Sequence, residues 1–211
     1  LSKKQAKELC IMTLDKVGVP NSDRRYNQFP HEFSGGMRQR VLIGMAIICK
    51  PKLIIADEPT TALDVTTQAQ VLKLINDFIR ELRTSLLLIT HDLGVVAQMA
   101  HRIGIIYAGR IIETGTAMEI FKNPSHPYTY ALLRSIPSPT IDIEEPLYSI
   151  GGTPPDLFRP PAGCAFAARC NYCMKVCEDY PPTTFQITKE HCAACWLLHS
   201  KSHGMLPWRI Q

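Results

Sequence analysis

The sequence predicts an α/β fold, a mainly parallel sheet with flanking helices, followed by a small cysteine-rich extension. Three observations predict it. Short apolar runs at 53–56 and 86–90 alternate with segments of helical period at 66–82 and 93–100, the order that parallel strands and crossover helices produce. Beyond Ile136, the prolines at Pro137, Pro139, Pro146, Pro154, Pro155, Pro160 and Pro161 leave no room for regular helices, so this stretch is expected to be a linker. Six of the 8 cysteines then fall between Cys164 and Cys195.

Each element has a local reason. Ser2 and Gln5 form a capping box, and Leu9, Met12, Leu14 and Val17 recur at helical spacing before Gly18. Residues 21–30 are polar and end in proline, a loop. Phe33-Ser34-Gly35-Gly36-Met37-Arg38-Gln39-Arg40 leads into an apolar helical run that stops before Pro51. The runs 53–56 and 86–90 are expected to be strands buried on both faces. Residues 103–107 and 111–114 read as two strands joined at Ala108-Gly109, a hairpin signal. Thr116 and Glu119 form a second capping box, opening a helix that carries Ile120 and Phe121.

Composition narrows the function classes. The 211 residues are 45% hydrophobic and 20% charged, as in ordinary globular proteins. The longest apolar run, 41–49, is far short of a membrane span, and the start carries no signal-peptide pattern, so a cytosolic location is expected. A formal net charge of +4 without a basic stripe gives no reason to expect nucleic acid as a partner. Leu1 stands where a start methionine would, so the beginning of the protein is expected to be missing. Cys10 and Cys49 lie in apolar helical surroundings and are expected to be core fillers. The clustered cysteines suggest metal before disulfides in a chain with no secretion signal.

Three features carry chemistry. An apolar strand ending in Asp57-Glu58-Pro59 puts two carboxylates at the C-terminal crevice where parallel sheets bind ligands. There one can hold Mg²⁺ and the other can orient and deprotonate an attacking water; a solvated acidic turn is the bland alternative. Ser34-Gly35-Gly36 before a helix can offer backbone N–H groups and a positive helix end to an anion, or can be a plain N-cap. His91, beside Asp92, closes the second apolar strand and can bond a phosphate oxygen or the attacking water.

Taken together, in order and spacing, these segments resemble the ABC ATPases over roughly the first 136 residues. The 33–40 segment resembles their signature motif, and 53–59 their Walker B strand and catalytic glutamate. Thr61-Ala62-Leu63-Asp64 resembles the D-loop, and His91 falls at the switch histidine. Pro30-His31-Glu32-Phe33 and Asn123-Pro124-Ser125-His126-Pro127-Tyr128-Thr129 resemble the oligopeptide/dipeptide/nickel importer branch. The resemblance implies the C-terminal part of an ABC-type nucleotide-binding domain over 1–136, a linker over 137–163 and a cysteine-rich extension over 164–211.

By that resemblance ATP and Mg²⁺ are the cofactors, Glu58 and His91 the catalytic residues, and Ser34, Gly35, Gly36, Gln39, Asp57 and Asp64 the nucleotide-site residues. The implied partners are a paired ABC ATPase subunit, identical or related, two membrane-spanning permease subunits and, indirectly, an external solute-binding protein. The implied location is the cytoplasmic side of the inner membrane. None of the 12 glycines begins a G-x-x-x-x-G-K-[ST] phosphate loop, and the glutamine loop is also absent. This chain alone is therefore expected to hydrolyse no ATP. Two readings compete for the cysteines. Cys170-x-x-Cys173 and Cys192-x-x-Cys195 have zinc-ribbon spacing. The importer branch instead implies a [4Fe–4S] cluster on Cys164, Cys170, Cys177 and Cys195. The alternatives for the whole are a non-catalytic metal-binding module, or an ABC ATPase of DNA repair or translation.

Overall fold

Residues 1–61, 63–136, 148–202 and 206–209 are described by the computed structural model. Ala62 and residues 137–147, with Pro137, Pro139 and Pro146, lie outside the described residues. The chain divides into two compact units, Leu1–Val95 and Val96–Gln211.

In the first unit, helix α1 (Lys3–Lys16) opens at Ser2, whose hydroxyl accepts from Gln5 N at 3.3 Å while Gln5 Oε1 accepts from Ser2 N at 2.9 Å. A short helix α2 (Ser22–Arg25) interrupts the expected loop. Helix α3 (Gly35–Ile47) starts at Ser34 and leads to strand β1 (Leu53–Asp57). Helix α4 (Val65–Leu82) buries Val71, Leu72, Ile75 and Phe78, one apolar stripe, and returns to strand β2 (Ser85–Ile89). The strands pair in parallel, Leu53 with Ser85 through Asp57 with Ile89. Arg40 on α3 locks the helices together: it donates to Val17 O at 2.9 Å and to Gln70 Oε1 on α4 at 3.1 Å. Helix α5 (Leu93–Met99) runs across the boundary between the units.

In the second unit, strands β3 (Arg102–Tyr107) and β4 (Arg110–Thr116) form the expected hairpin. Ala108 and Gly109 both have positive φ, 48° and 74°, the turn whose twist matches that of antiparallel strands. Helix α6 (Ala117–Lys122) has the Thr116–Glu119 capping box. Helix α7 (Pro127–Arg134) follows, its N-terminus capped by His126 and its first position filled by proline. The cysteine-rich segment holds helix α8 (Lys175–Asp179) and two short strands, β5 (Phe185–Gln186) and β6 (Cys192–Ala193). Strand β6 pairs antiparallel with β4, giving the order β3-β4-β6-β5. Phe166 packs into the core made by Ile103, Ile105, Tyr107, Ile112 and Ile120. The cysteine segment thus borrows apolar cover from the hairpin, as so short a stretch must.

Three expectations are corrected. Among the described residues only β1 and β2 pair in parallel, and the larger sheet is antiparallel; a two-residue turn forces the hairpin, and β6 joins it from 76 positions beyond Thr116 by sequence number. Strands β1 and β2 are not covered on both faces: Leu53, Ile55, Leu87 and Ile89 project to the exposed side with 45–63% of their surface open. Cys49, just beyond the end of α3, is exposed, and Cys10 on α1 is half-buried. No helix of the described residues is long and apolar enough to cross a membrane.

Candidate functional site

Strand β1 ends at Asp57, and the chain turns sharply at the next residue. Glu58 has φ 47°, the left-handed region, and its N–H donates to Ile89 O at 2.9 Å, extending the β1–β2 ladder by one bond. A non-glycine residue pays roughly 1–2 kcal/mol for that backbone, and such strain persists where the surroundings over-determine it. Its result is to swing the carboxylate sideways onto His91, two residues beyond β2. Glu58 Oε1 lies 2.8 Å from His91 Nδ1, and Thr61 Oγ1 donates to Oε2 at 2.7 Å.

The His91 hydrogen bond, and then that of Thr61, hold the Glu58 carboxyl below its ordinary value; the same contact raises His91. The pair is open to solvent, with 37% of Glu58 and 83% of His91 side-chain surface exposed. An ionised glutamate beside a histidine, at the C-terminal ends of adjacent parallel strands, can accept a proton from water. Asp57 is exposed on the strand end and shares a cleft with Gln39, Leu42, Ile55 and Pro59.

The remaining residues of the expected nucleotide site stand at helix starts. Ser34 caps α3 and accepts from Met37 N at 3.4 Å, with Gly35 and Gly36 forming the first turn. Asp64 caps α4; Oδ1 accepts from Thr67 N at 2.9 Å and Oδ2 from Thr67 Oγ1 at 2.6 Å, which hold its carboxyl below the ordinary range. So Glu58 and His91 are brought into direct contact, whereas Ser34 and Asp64 are each engaged with their own helix.

In the second unit Cys164, Cys170, Cys177 and Cys195 line one cleft, with His126 and Phe166. Gly163 makes this possible: a side chain there would collide with Cys177 O and Glu178 O, and its absence lets Cys164 N donate to Cys177 O at 2.7 Å. Burial raises the Cys164 thiol and pushes Cys170 and Cys195 up to about 12. Of the zinc-ribbon set, Cys170 and Cys195 line this cleft and Cys173 and Cys192 do not. Cys192 Sγ lies 3.1 Å from Thr114 Oγ1 on the sheet, and Cys173 is exposed. Among the described residues no group of three or more His, Cys, Asp or Glu side chains is gathered to hold a metal ion.

The chain matches the ABC transporter family over residues 3–61 and the oligopeptide/dipeptide transporter C-terminal region over residues 112–177. It is 54% identical over 207 residues to the oligopeptide transport ATP-binding protein OppD of Bacillus subtilis (strain 168), covering 98% of this chain and 58% of that protein. It is 51% identical over 208 residues to the dipeptide transport ATP-binding protein DppD of the same organism, covering 98% and 62%. To OppD of Salmonella typhimurium it is 50% identical over 182 residues, covering 86% and 54%. These matches make the chain similar to ABC transporter ATP-binding proteins of the oligopeptide/dipeptide branch. It spans about three fifths of the length of the two Bacillus relatives, 58% and 62%.

The oligopeptide/dipeptide region contains a buried centre that the sequence did not reveal. Glu113 on β4, 1% exposed, accepts from Ser125 N at 2.6 Å and His126 N at 2.9 Å, and bonds His191 Nε2 at 2.7 Å. One carboxylate therefore holds the start of α7 and the chain just before Cys192. Its trace in the sequence is a charged residue directly after the apolar pair Ile111-Ile112 of a strand. The other missed residue is Thr67, the partner of Asp64.

Proposed function

We propose that this chain is part of an ATP-hydrolysing subunit that energises import of peptides, oligopeptide or dipeptide, with nickel as the other solute of the branch. The observation that carries the proposal is the Glu58–His91 contact at the ends of two parallel strands. Glu58 is the general base, held ionised by His91 and Thr61. His91 orients it and reports on the nucleotide's terminal phosphate. Mg²⁺, when bound, offsets negative charge on the phosphates, and Asp57, an exposed carboxylate at a strand end, suits a hard cation of that kind. Ser34, Gly35, Gly36 and Gln39 face the nucleotide held by a paired ATPase subunit, and Asp64 links the two sites.

On this reading the working unit is two such ATPases on two membrane-spanning permeases, at the cytoplasmic face of the inner membrane and fed by an external binding protein. The test is Mg²⁺-dependent ATP turnover by this sequence extended to the length of its relatives, joined to its permeases, with and without peptide-loaded binding protein. Stimulation by the loaded binding protein is expected, and turnover indifferent to it would contradict the import role. A pH profile adds a second check. A base titrating below the ordinary glutamate value of 4.5 places the acid limb of kcat/KM below that value. Replacing His91 by Ala removes the largest cause of the lowering and is expected to move the limb upward.

We also propose that Cys164, Cys170, Cys177 and Cys195 hold a [4Fe–4S] cluster of structural or sensing role. Their chemistry fits: four thiols line one cleft, and a cluster takes each thiolate on a different iron, whereas zinc draws all four within about 2.3 Å of one ion. Anaerobic purification with iron, sulfide and zinc analysis is expected to give a coloured iron protein that Cys177→Ser bleaches and Cys192→Ser does not. A colourless protein with one zinc per chain, lost on changing Cys173 and Cys192, would reverse the assignment.

A further inference from the structure

The two glycines at the start of α3 stand in different surroundings. A Cβ on Gly35 would meet nothing within 4 Å, whereas a Cβ on Gly36 would stand 2.9 Å from Thr67 Cγ2 on α4. That is closer than Cβ atoms come to a neighbour, so something must shift. The Thr67 methyl has little freedom to do so. Its hydroxyl donates to Asp64 Oδ2 at 2.6 Å and its N–H to Asp64 Oδ1 at 2.9 Å. A β-branched side chain has one χ1 to set, and fixing Oγ1 on the carboxylate fixes Cγ2 as well.

We propose that Thr67 is a positioning residue that joins two segments of the nucleotide site within one subunit. Its hydroxyl holds the Asp64 carboxylate, and its methyl sets the distance of the Ser34-Gly35-Gly36 turn from α4. The two glycines are then small for separate reasons. Gly35 leaves its side open, the side available to a phosphate, whereas Gly36 is small because Thr67 occupies the space beside it. Displacement of either segment is transmitted to the other through a single side chain. This inference rests on the ATPase reading above and adds to it a residue outside every motif that the resemblance covers.

The experiment uses the sequence extended to the length of its relatives and assembled with its partners, and compares Gly36→Ala, Gly35→Ala and Thr67→Ser with the two doubles that contain Thr67→Ser. Overpacking at Gly36 is expected to lower kcat about tenfold, with the ATP KM changed less than about twofold. Thr67→Ser removes the methyl that spaces the turn and keeps the hydroxyl, so alone it is expected to lower kcat about twofold. Added to Gly36→Ala, it is expected to restore kcat to within about threefold of the parent. It is expected to do nothing for Gly35→Ala, whose Cβ never meets Thr67. Urea midpoints of the same variants are expected to show the same selective rescue, which remains readable if Gly36→Ala folds poorly. A double that stays as slow as Gly36→Ala, or equal rescue of Gly35→Ala, would overturn the inference while leaving the ATPase reading standing. A parent with no ATP turnover at all would overturn both.

Discussion

In this sequence extended to the length of its relatives, Glu58→Gln is expected to lower ATP turnover by about 10²–10⁴-fold, the usual contribution of a positioned general base. The amide keeps the shape and can still meet Thr61 Oγ1 and His91 Nδ1, now 2.7 Å and 2.8 Å from the two carboxylate oxygens. It cannot take a proton from water near neutral pH. ATP binding is expected to persist, because no phosphate-directed residue changes. The loss therefore appears in kcat, the signature of an interaction used in the transition state alone. Turnover of the purified variant under saturating Mg-ATP measures it. A variant that retains the parent rate would remove Glu58 from the role of base.

Glu113→Ala is expected to destabilise the protein by about 3–5 kcal/mol, the cost typical of removing one partner from a buried pair. The truncation strips acceptors from two buried backbone N–H groups, Ser125 and His126, and leaves His191 facing an apolar gap. None of the three is open to water: Ser125 is 0% exposed, and His126 and His191 are each 1%. The effect is expected to reach beyond stability, since Glu113 joins β4, the start of α7 and the segment leading to β6. Cys195, buried in the parent, is then expected to react faster with a thiol reagent. Urea unfolding reads the first effect and thiol labelling the second. A midpoint shift no larger than that of an ordinary surface substitution would show that the buried carboxylate does not hold these segments together.

Local chemistry was legible in the sequence, and long-range chemistry was not. The capping boxes at Ser2 and Thr116 and the turn at Ala108-Gly109 are each completed by residues three or fewer positions apart, so the sequence contains every participant. The sequence placed Glu58 and His91 at the ends of two strands, and the parallel pairing of those strands brings them into contact. The Glu113–His191 bond joins residues 78 positions apart, and no spacing rule links them. Strand β6 was hidden for the same reason: two residues, Cys192-Ala193, have no periodicity of their own and become a strand by lying against β4. The continuous apolar runs of β1 and β2 reported strand correctly, and in this chain, which spans about three fifths of its relatives' length, one face of them is open, with Ile55 and Leu87 exposed.

Cysteine spacing offered two sets of ligands and could not separate them. Geometry bears on the choice through Gly163, which admits Cys164 to the side of Cys177, and through Thr114, which holds Cys192 on the sheet. Neither contact is visible from the CxxC pattern, because both depend on where the chain returns.

A nucleotide site completed between two subunits requires that ATP drive their association. In the Glu58→Gln background of the extended sequence, sedimentation is expected to show Mg-ATP converting separate subunits into pairs. Ser34→Arg, which places bulk and charge at the first turn of α3, is expected to abolish that conversion while leaving each subunit folded. Pairs that form equally well without ATP, or that form undiminished with Ser34→Arg, would contradict a site completed in this way.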